Sequence, residues 1–251
     1  MVKAAEPRTV ARKKERPRWR KWVKIALVAL VGAAVLYHGC IFSLLVYYRS
    51  YNPRVTAMMQ QRAAEAEDMG KPVKREQIWV PYDRISPNLV RAVLAGEDSR
   101  FFDHSGFDWE EMRKALEKDW EEGKFKRGAS TISQQLSKNL FLSTSKNPVR
   151  KLHEALITWE METLMSKRRI LEIYLNVIEW GDGIYGAEAA SRYYFNTSAA
   201  SLSAEQAAFL SAIIPNPRTV FNPNKNPRRV NRRRNLILRL MRHVVVPKDL
   251  S

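Results

Sequence analysis

One cysteine, Cys40, stands in the 251 residues, so no internal disulfide can form and the redox compartment cannot be read from cysteines. No Cys/His group with metal-site spacing is present, and no internal repeat recurs. The phosphate-loop pattern GxxxxGK[ST] is missing, and GDGIYG, which fits GxGxxG, lacks the strand–helix unit that pattern requires. Two further absences are local. Residues 25–48 hold no formally charged side chain, and residues 218–243 carry nine Lys/Arg but no acid.

What is present is arranged around these gaps. The net charge is +17, and residues 1–24 supply ten Lys/Arg against Glu6 and Glu15. Residues 25–217 are balanced, with 23 basic and 23 acidic side chains. A nucleic-acid reader spreads its basic patch over the folded surface. Basic ends around a neutral middle fit an anionic membrane instead, so no nucleic acid is expected as a partner.

The uncharged run Ile25–Tyr48 rises about 36 Å as a helix, enough for a bilayer core of about 30 Å. A buried core helix rarely lacks a polar stripe for so long. A cleaved signal peptide has a shorter apolar region ending at small residues. Bulky Tyr37 and His38 stand just before Cys40, against a lipoprotein site. The run reads as an uncleaved single-pass anchor with the basic N-terminus cytoplasmic and the remainder outside. His38 within it reads as a neutral imidazole near a neighbour, because a single span builds no proton path. The expected organisation is a basic cytoplasmic tail (1–24), an anchor (25–48), a connecting segment (49–76), a catalytic domain (77–217) and a basic C-terminal helix and tail (218–251).

The remainder reads as mostly α, with strand-like QIWVPYDRI and a Gly-rich turn at WGDGIYG as exceptions. Leu89, Val93 and Leu94 fall at helical spacing and deliver Glu97 and Asp98 to the helix C-terminus, where the dipole disfavours acids. GKFKRGAS is a Gly/Lys loop. From Thr131 onward Ile132, Leu136 and Leu140 recur on a core face, while Gln135, Lys138 and Asn139 share the other side. In the helix Arg150–Met165, Glu154 lies on the same face as Ile157 and Met161. A carboxylate on an apolar face is paired or shifted in pKa, and an ion pair with Arg150 is the bland alternative. The last helix, RRVNRRRNLILRLMRHV, is amphipathic and basic, and reads equally as a solvated surface or as contact with lipid headgroups. Two carboxylates, two cations and several amides in one stretch suggest acid/base chemistry on a charged substrate.

Five blocks occur in order: Glu97, Asp98, Phe101, His104 and Gly106; then Gly128, Ser130, Thr131, Gln134, Gln135, Lys138 and Asn139; then Arg150, Lys151 and Glu154; then Tyr174, Leu175 and Asn176; and last Gly186, Ala187, Glu188, Tyr194 and Phe195. Together they resemble the bacterial peptidoglycan glycosyltransferases of glycosyltransferase family 51, over about residues 77–217. That family also occurs fused to a penicillin-binding transpeptidase. STSK (143–146) fits its S-x-x-K, but K-T-G is absent, so the chain resembles the monofunctional, membrane-anchored transglycosylases.

The resemblance implies a lysozyme-like helical glycosyltransferase domain behind one transmembrane helix, held at the bacterial inner membrane with the domain periplasmic. It implies lipid II and the growing lipid-linked glycan as substrates, with cell-wall synthesis proteins as further partners. Glu97 would take the proton from the acceptor 4-hydroxyl. Lys138 and Arg150 would neutralise the pyrophosphate, and Glu154 would assist its departure. Asp98, Phe101, His104, Thr131, Gln135 and Asn139 would shape the cleft. No cofactor is required by the sequence, although the resemblance admits a divalent cation such as magnesium near Asp98. Two rivals stand beside this reading. A peptidoglycan-cleaving, lysozyme-like enzyme would have no pyrophosphate for Lys138 and Arg150 to meet. A non-catalytic scaffold of the cell-wall machinery need not retain Glu97 and Glu154.

Overall fold

The computed structural model describes residues 19–121, 130–145 and 147–247, and the chain divides into two compact units, Met1–Ile41 and Phe42–Ser251. Most of the expected tail and of the Gly/Lys loop, including Gly128, lies outside the described residues.

The described part of the first unit is helix. α1 runs Trp19–Tyr48, 30 residues, and is the one described helix long and apolar enough to cross a membrane, with a mean hydropathy of 2.2 over its most apolar stretch. It begins before Ile25, because the tail residues from Trp19 are compatible with helix and nothing there breaks it.

In the second unit the last turn of α1 belongs to the folded domain. Leu45 is fully buried, and Arg169 donates from Nε to the Tyr48 carbonyl at 2.9 Å. The helices follow in order: α2 (Ala57–Asp68), α3 (Pro87–Glu97), α4 (Trp109–Glu121), α5 (Ile132–Phe141), α6 (Pro148–Leu164), α7 (Lys167–Val177), α8 (Ala187–Phe195), α9 (Ala204–Ile213) and α10 (Pro227–Leu240). Most start on capping chemistry written in the chain. Ser86, Asn147 and Ser166 accept the first free N–H groups, and Pro87 and Pro148 take the position that needs none. Thr131 with Gln134, and Ser203 with Gln206, form full capping boxes.

QIWVPYDRI is mostly irregular: only Glu76–Gln77 (β1) is strand, before a 3-10 turn at Tyr82–Arg84. WGDGIYG is a hairpin of β2 (Glu179–Gly181) and β3 (Ile184–Tyr185), and the sheet order is β1-β3-β2, with β1 parallel and β2 antiparallel to β3. Asn176 holds this corner. Its amide donates to the Val80 carbonyl and accepts from Val80 N, both at 2.9 Å, so two backbone groups with no ladder partner are satisfied.

The core lies where α5 packs on α6 and α7 and where α3 packs on α9 and α10. Leu89, Leu136, Ile157, Ile170 and Tyr174 are fully buried there. Gly96 sets one approach: a Cβ at that position would lie 2.5 Å from Ser211 Oγ and 3.1 Å from Ile237 Cδ1. Its missing side chain lets α9 and α10 close on the end of α3, beside Glu97.

Candidate active site

Glu97 ends α3 and Asp98 caps it. The Glu97 side chain is buried. Its Oε1 accepts from Arg233 Nη2 at 2.8 Å, and its Oε2 accepts from Gln135 Nε2 at 3.0 Å. Gln135 is itself oriented, because Tyr174 Oη donates to Gln135 Oε1 at 2.9 Å. Burial pushes the Glu97 carboxyl above the usual carboxylate range, against the opposing pull of Arg233 and Gln135. Burial also suppresses ionisation of Tyr174, whose pKa is well above an ordinary phenol's. Glu97 therefore faces a neutral phenol behind a fixed amide.

Asp98 ties this end of α3 to the start of α5. Its Oδ2 accepts from Ile132 N at the start of α5 (3.0 Å), and both its oxygens lie within 3.2 Å of His104 Nε2. Thr131 caps α5 and donates from Oγ1 to the Gly106 carbonyl at 2.6 Å. A cleft of about 240 Å³ opens here, lined by Glu97, Asp98, Asp108, Glu111, Ser130 and Thr131 among others. Phe101 does not line it. The ring is fully buried, with Lys167 Nζ 4.4 Å from its centroid, and supports the site from behind.

Along α5, Lys138 faces a second cleft of about 210 Å³, which Gln135 and Asn139 also line. The Lys138 side chain makes no hydrogen bond or ion pair among the described residues. Burial lowers its pKa; Glu154 opposes this, while nearby Arg150 and Lys151 add to it. Asn139 is nearly buried and donates to the Gln135 carbonyl at 2.8 Å. On α6, Glu154 is buried on the apolar face, as its spacing predicts, and accepts from Arg150 Nη1 at 2.7 Å and from Lys151 Nζ. The bland pairing with Arg150 is thus real, and Lys151 is a second partner. The site combines a buried carboxylate at one cleft with an unpaired, partly desolvated lysine at the next. Gln135 lines the second cleft and donates to Glu97 at the first.

Asp98, His104 and Asp108 bring ligand-type atoms within 4.8 Å of one another. Both Asp98 oxygens already meet protein donors, and Asp108 Oδ1 accepts from Glu111 N at 2.9 Å. A cation here would share the Asp98 oxygens that join α3 to α5. Magnesium prefers a near-octahedral oxygen shell over imidazole. Asp98 and Asp108 would hold a hydrated magnesium ion through one or two carboxylate oxygens rather than through His104, and no step below runs through one.

A family profile described as Transglycosylase matches residues 63–242. The chain belongs to the transglycosylase family. Similar curated proteins include the biosynthetic peptidoglycan transglycosylases of Chromobacterium violaceum (51% identical; 88% of this chain, 96% of the relative) and Laribacter hongkongensis (47% identical; 90% and 99%). That of Methylobacillus flagellatus is 50% identical, over 88% of this chain and 96% of its own.

The family match extends past both edges of the expected 77–217 region, and the structure gives the reason. In this transglycosylase α2 packs on α5, and α10 packs on α3 and α9. Three cationic residues escaped the sequence reading. Arg233 comes from α10, and Arg62 and Arg218 line the second cleft. Arg62 Nε donates to Glu179 Oε2 at 3.1 Å, and Arg218 Nε lies 3.1 Å from Asp182 Oδ1. The one signal for Arg233 was the acid-free stretch 218–243, whose cations need partners from elsewhere in the chain.

Proposed function

We propose that Glu97 is the general base and Lys138 the principal leaving-group cation of a peptidoglycan glycosyltransferase that polymerises lipid II. The activity class rests on membership of the transglycosylase family and on relatives near 50% identity named biosynthetic peptidoglycan transglycosylase. The observation that carries the residue roles is the pairing of two clefts. One is bordered by a buried carboxylate with a raised pKa, the other by a lysine without an ion partner among the described residues, and Gln135 lines the second cleft while donating to the Glu97 carboxylate of the first.

The acceptor 4-hydroxyl sits against Glu97. Its oxygen attacks the anomeric carbon of the lipid-linked donor while Glu97 takes the proton. The bond from that carbon to the pyrophosphate oxygen breaks, and its electron pair leaves with the undecaprenyl pyrophosphate. Lys138 and Arg150 meet the developing charge in a partly dry site, where such contacts are strongest. Glu154 holds Arg150 and Lys151 in place for that task. Direct attack inverts the α-linked donor to a β-1,4 bond. A hydrolase reading leaves Lys138 without a role.

The membrane suits this substrate. Besides α1, two helices of the domain expose apolar stripes at helical spacing: Trp109, Leu116 and Trp120 on α4, and Val149, Leu152, Leu156 and Trp159 on α6. Such faces fit an acyl-chain boundary next to a lipid-linked substrate. The basic flank of α1 supports an N-terminus in the cytoplasm and a catalytic domain outside the inner membrane. Purified protein in detergent, supplied with labelled lipid II, should yield polymer and release undecaprenyl pyrophosphate. Release of short glycan from preformed strands, with no polymer from lipid II, would overturn the reading.

A further inference from the structure

We propose that Arg233, supplied by the C-terminal helix, is a positioning residue that keeps the Glu97 carboxylate charged and aimed for proton abstraction. This rests on the reading of Glu97 as the base. The geometry is specific. Nη2 of Arg233 reaches Glu97 Oε1 and the Gly96 carbonyl, each at 2.8 Å. The guanidinium lies 5.5 Å from the centre of the Phe221 ring. Both accepting groups belong to the last turn of α3, the negative end of its dipole. A helix end that carries Glu97 and Asp98 in succession is electrostatically unfavourable alone, and Arg233 supplies the missing cation.

The other groups around Glu97 cannot do this. Gln135 from α5 is neutral, and Tyr174 from α7 stays protonated. Adjacent Asp98 is of like charge and raises the Glu97 pKa. Lys138 acts on Glu97 only through space, with no hydrogen bond between them. Arg233 is the one ion-pair partner of Glu97 among the described residues. Residues 218–243 contain no acid that could draw it away. A buried base without such a cation takes up a proton and stops working; with it, the carboxylate stays available.

The test compares Arg233→Gln and Arg233→Lys with the wild type and with Glu97→Gln, in full-length protein on labelled lipid II. Glutamine keeps an N–H for the Gly96 carbonyl but removes the charge, and lysine keeps the charge. Loss of a close opposite charge raises a carboxyl pKa by roughly 1–3 units. The acid limb of the kcat/KM profile should therefore move to higher pH by about that amount in Arg233→Gln. Arg233→Lys should hold it near its original place, with kcat falling more than KM rises. The carboxyl carbon resonance of Glu97, assigned by its loss in Glu97→Gln, should titrate at higher pH in Arg233→Gln. An unmoved acid limb and an unmoved resonance in Arg233→Gln, with Glu97→Gln inactive, would overturn the role of Arg233 alone. An active Glu97→Gln would overturn the base reading beneath it.

Discussion

At the scale of single residues, Glu97 and Lys138 are pushed in opposite directions by the same cause. Burial penalises whichever form is charged, so the glutamate rises and the lysine falls. The proposed mechanism needs both charged, Glu97 to take a proton and Lys138 to meet the pyrophosphate. The sign follows for each. Turnover should rise as pH climbs through the raised Glu97 value, above the ~4.3 of a free glutamate. It should fall as pH climbs through the lowered Lys138 value, below the ~10.4 of a free lysine. A pH profile of lipid II polymerisation should show this narrowed bell, and Lys138→Arg should extend its alkaline side, because arginine does not deprotonate. Glu97→Gln keeps the shape and the bond to Gln135, so the protein should fold while the rate drops by ~10²–10⁴; thermal unfolding beside the polymer assay separates the two effects. Lys138→Ala and Arg150→Ala should each slow turnover, and a double-mutant cycle should find them non-additive, since one leaving group would meet both.

At the scale of elements, what the chain declared in advance was local. The apolar face Ile132, Leu136, Leu140 is buried as its spacing requires, and Ser203 with Gln206 caps its helix. Glu154 points inward because it shares a face with Ile157 and Met161. What stayed hidden was long-range or two-sided. No local pattern announces that Arg233 will meet Glu97, 136 residues away in sequence. The stripe on α6 opposite its core face was passed over, since Leu152 and Trp159 look like core in any helix. The hairpin at WGDGIYG was read only as a turn, because its strands are two and three residues long. The stripe carries its own prediction. Replacing Leu152 and Trp159, which are 71% and 60% exposed, with serine removes little from the core, so thermal stability should change by under about 0.5 kcal/mol. Activity in liposomes should fall several-fold while activity in detergent holds. Equal losses in both media would remove the stripe from any membrane role.

At the scale of the whole molecule, the anchor and the domain share one helix but contribute differently. The blocks bearing Glu97, Lys138 and Glu154 all lie in the unit Phe42–Ser251, so the proposed chemistry should not need the span itself. The division falls inside α1 rather than at its end. Leu45 is fully buried, and Arg169 donates to the Tyr48 and Tyr51 carbonyls at 2.9 and 2.8 Å. A truncation that removes residues 1–41 should therefore fold and polymerise lipid II in detergent. One that removes residues 1–51 deletes a buried leucine and leaves part of the Arg169 guanidinium unpaired, and should lose several kcal/mol of stability. In bilayers the shorter truncation loses its tether, and a tether raises the effective concentration of enzyme at its substrate. If the basic side of α10 meets anionic headgroups, it should retain some attraction, at about 1 kcal/mol per cation near the surface, and salt should screen it. Full-length protein should thus keep its activity on anionic liposomes as salt rises, while the form lacking 1–41 should start lower and fall further. Identical activities at every salt concentration would mean that the span does not govern access to lipid II, and the apolar stripes of α4 and α6 would then have to hold the domain at the membrane alone.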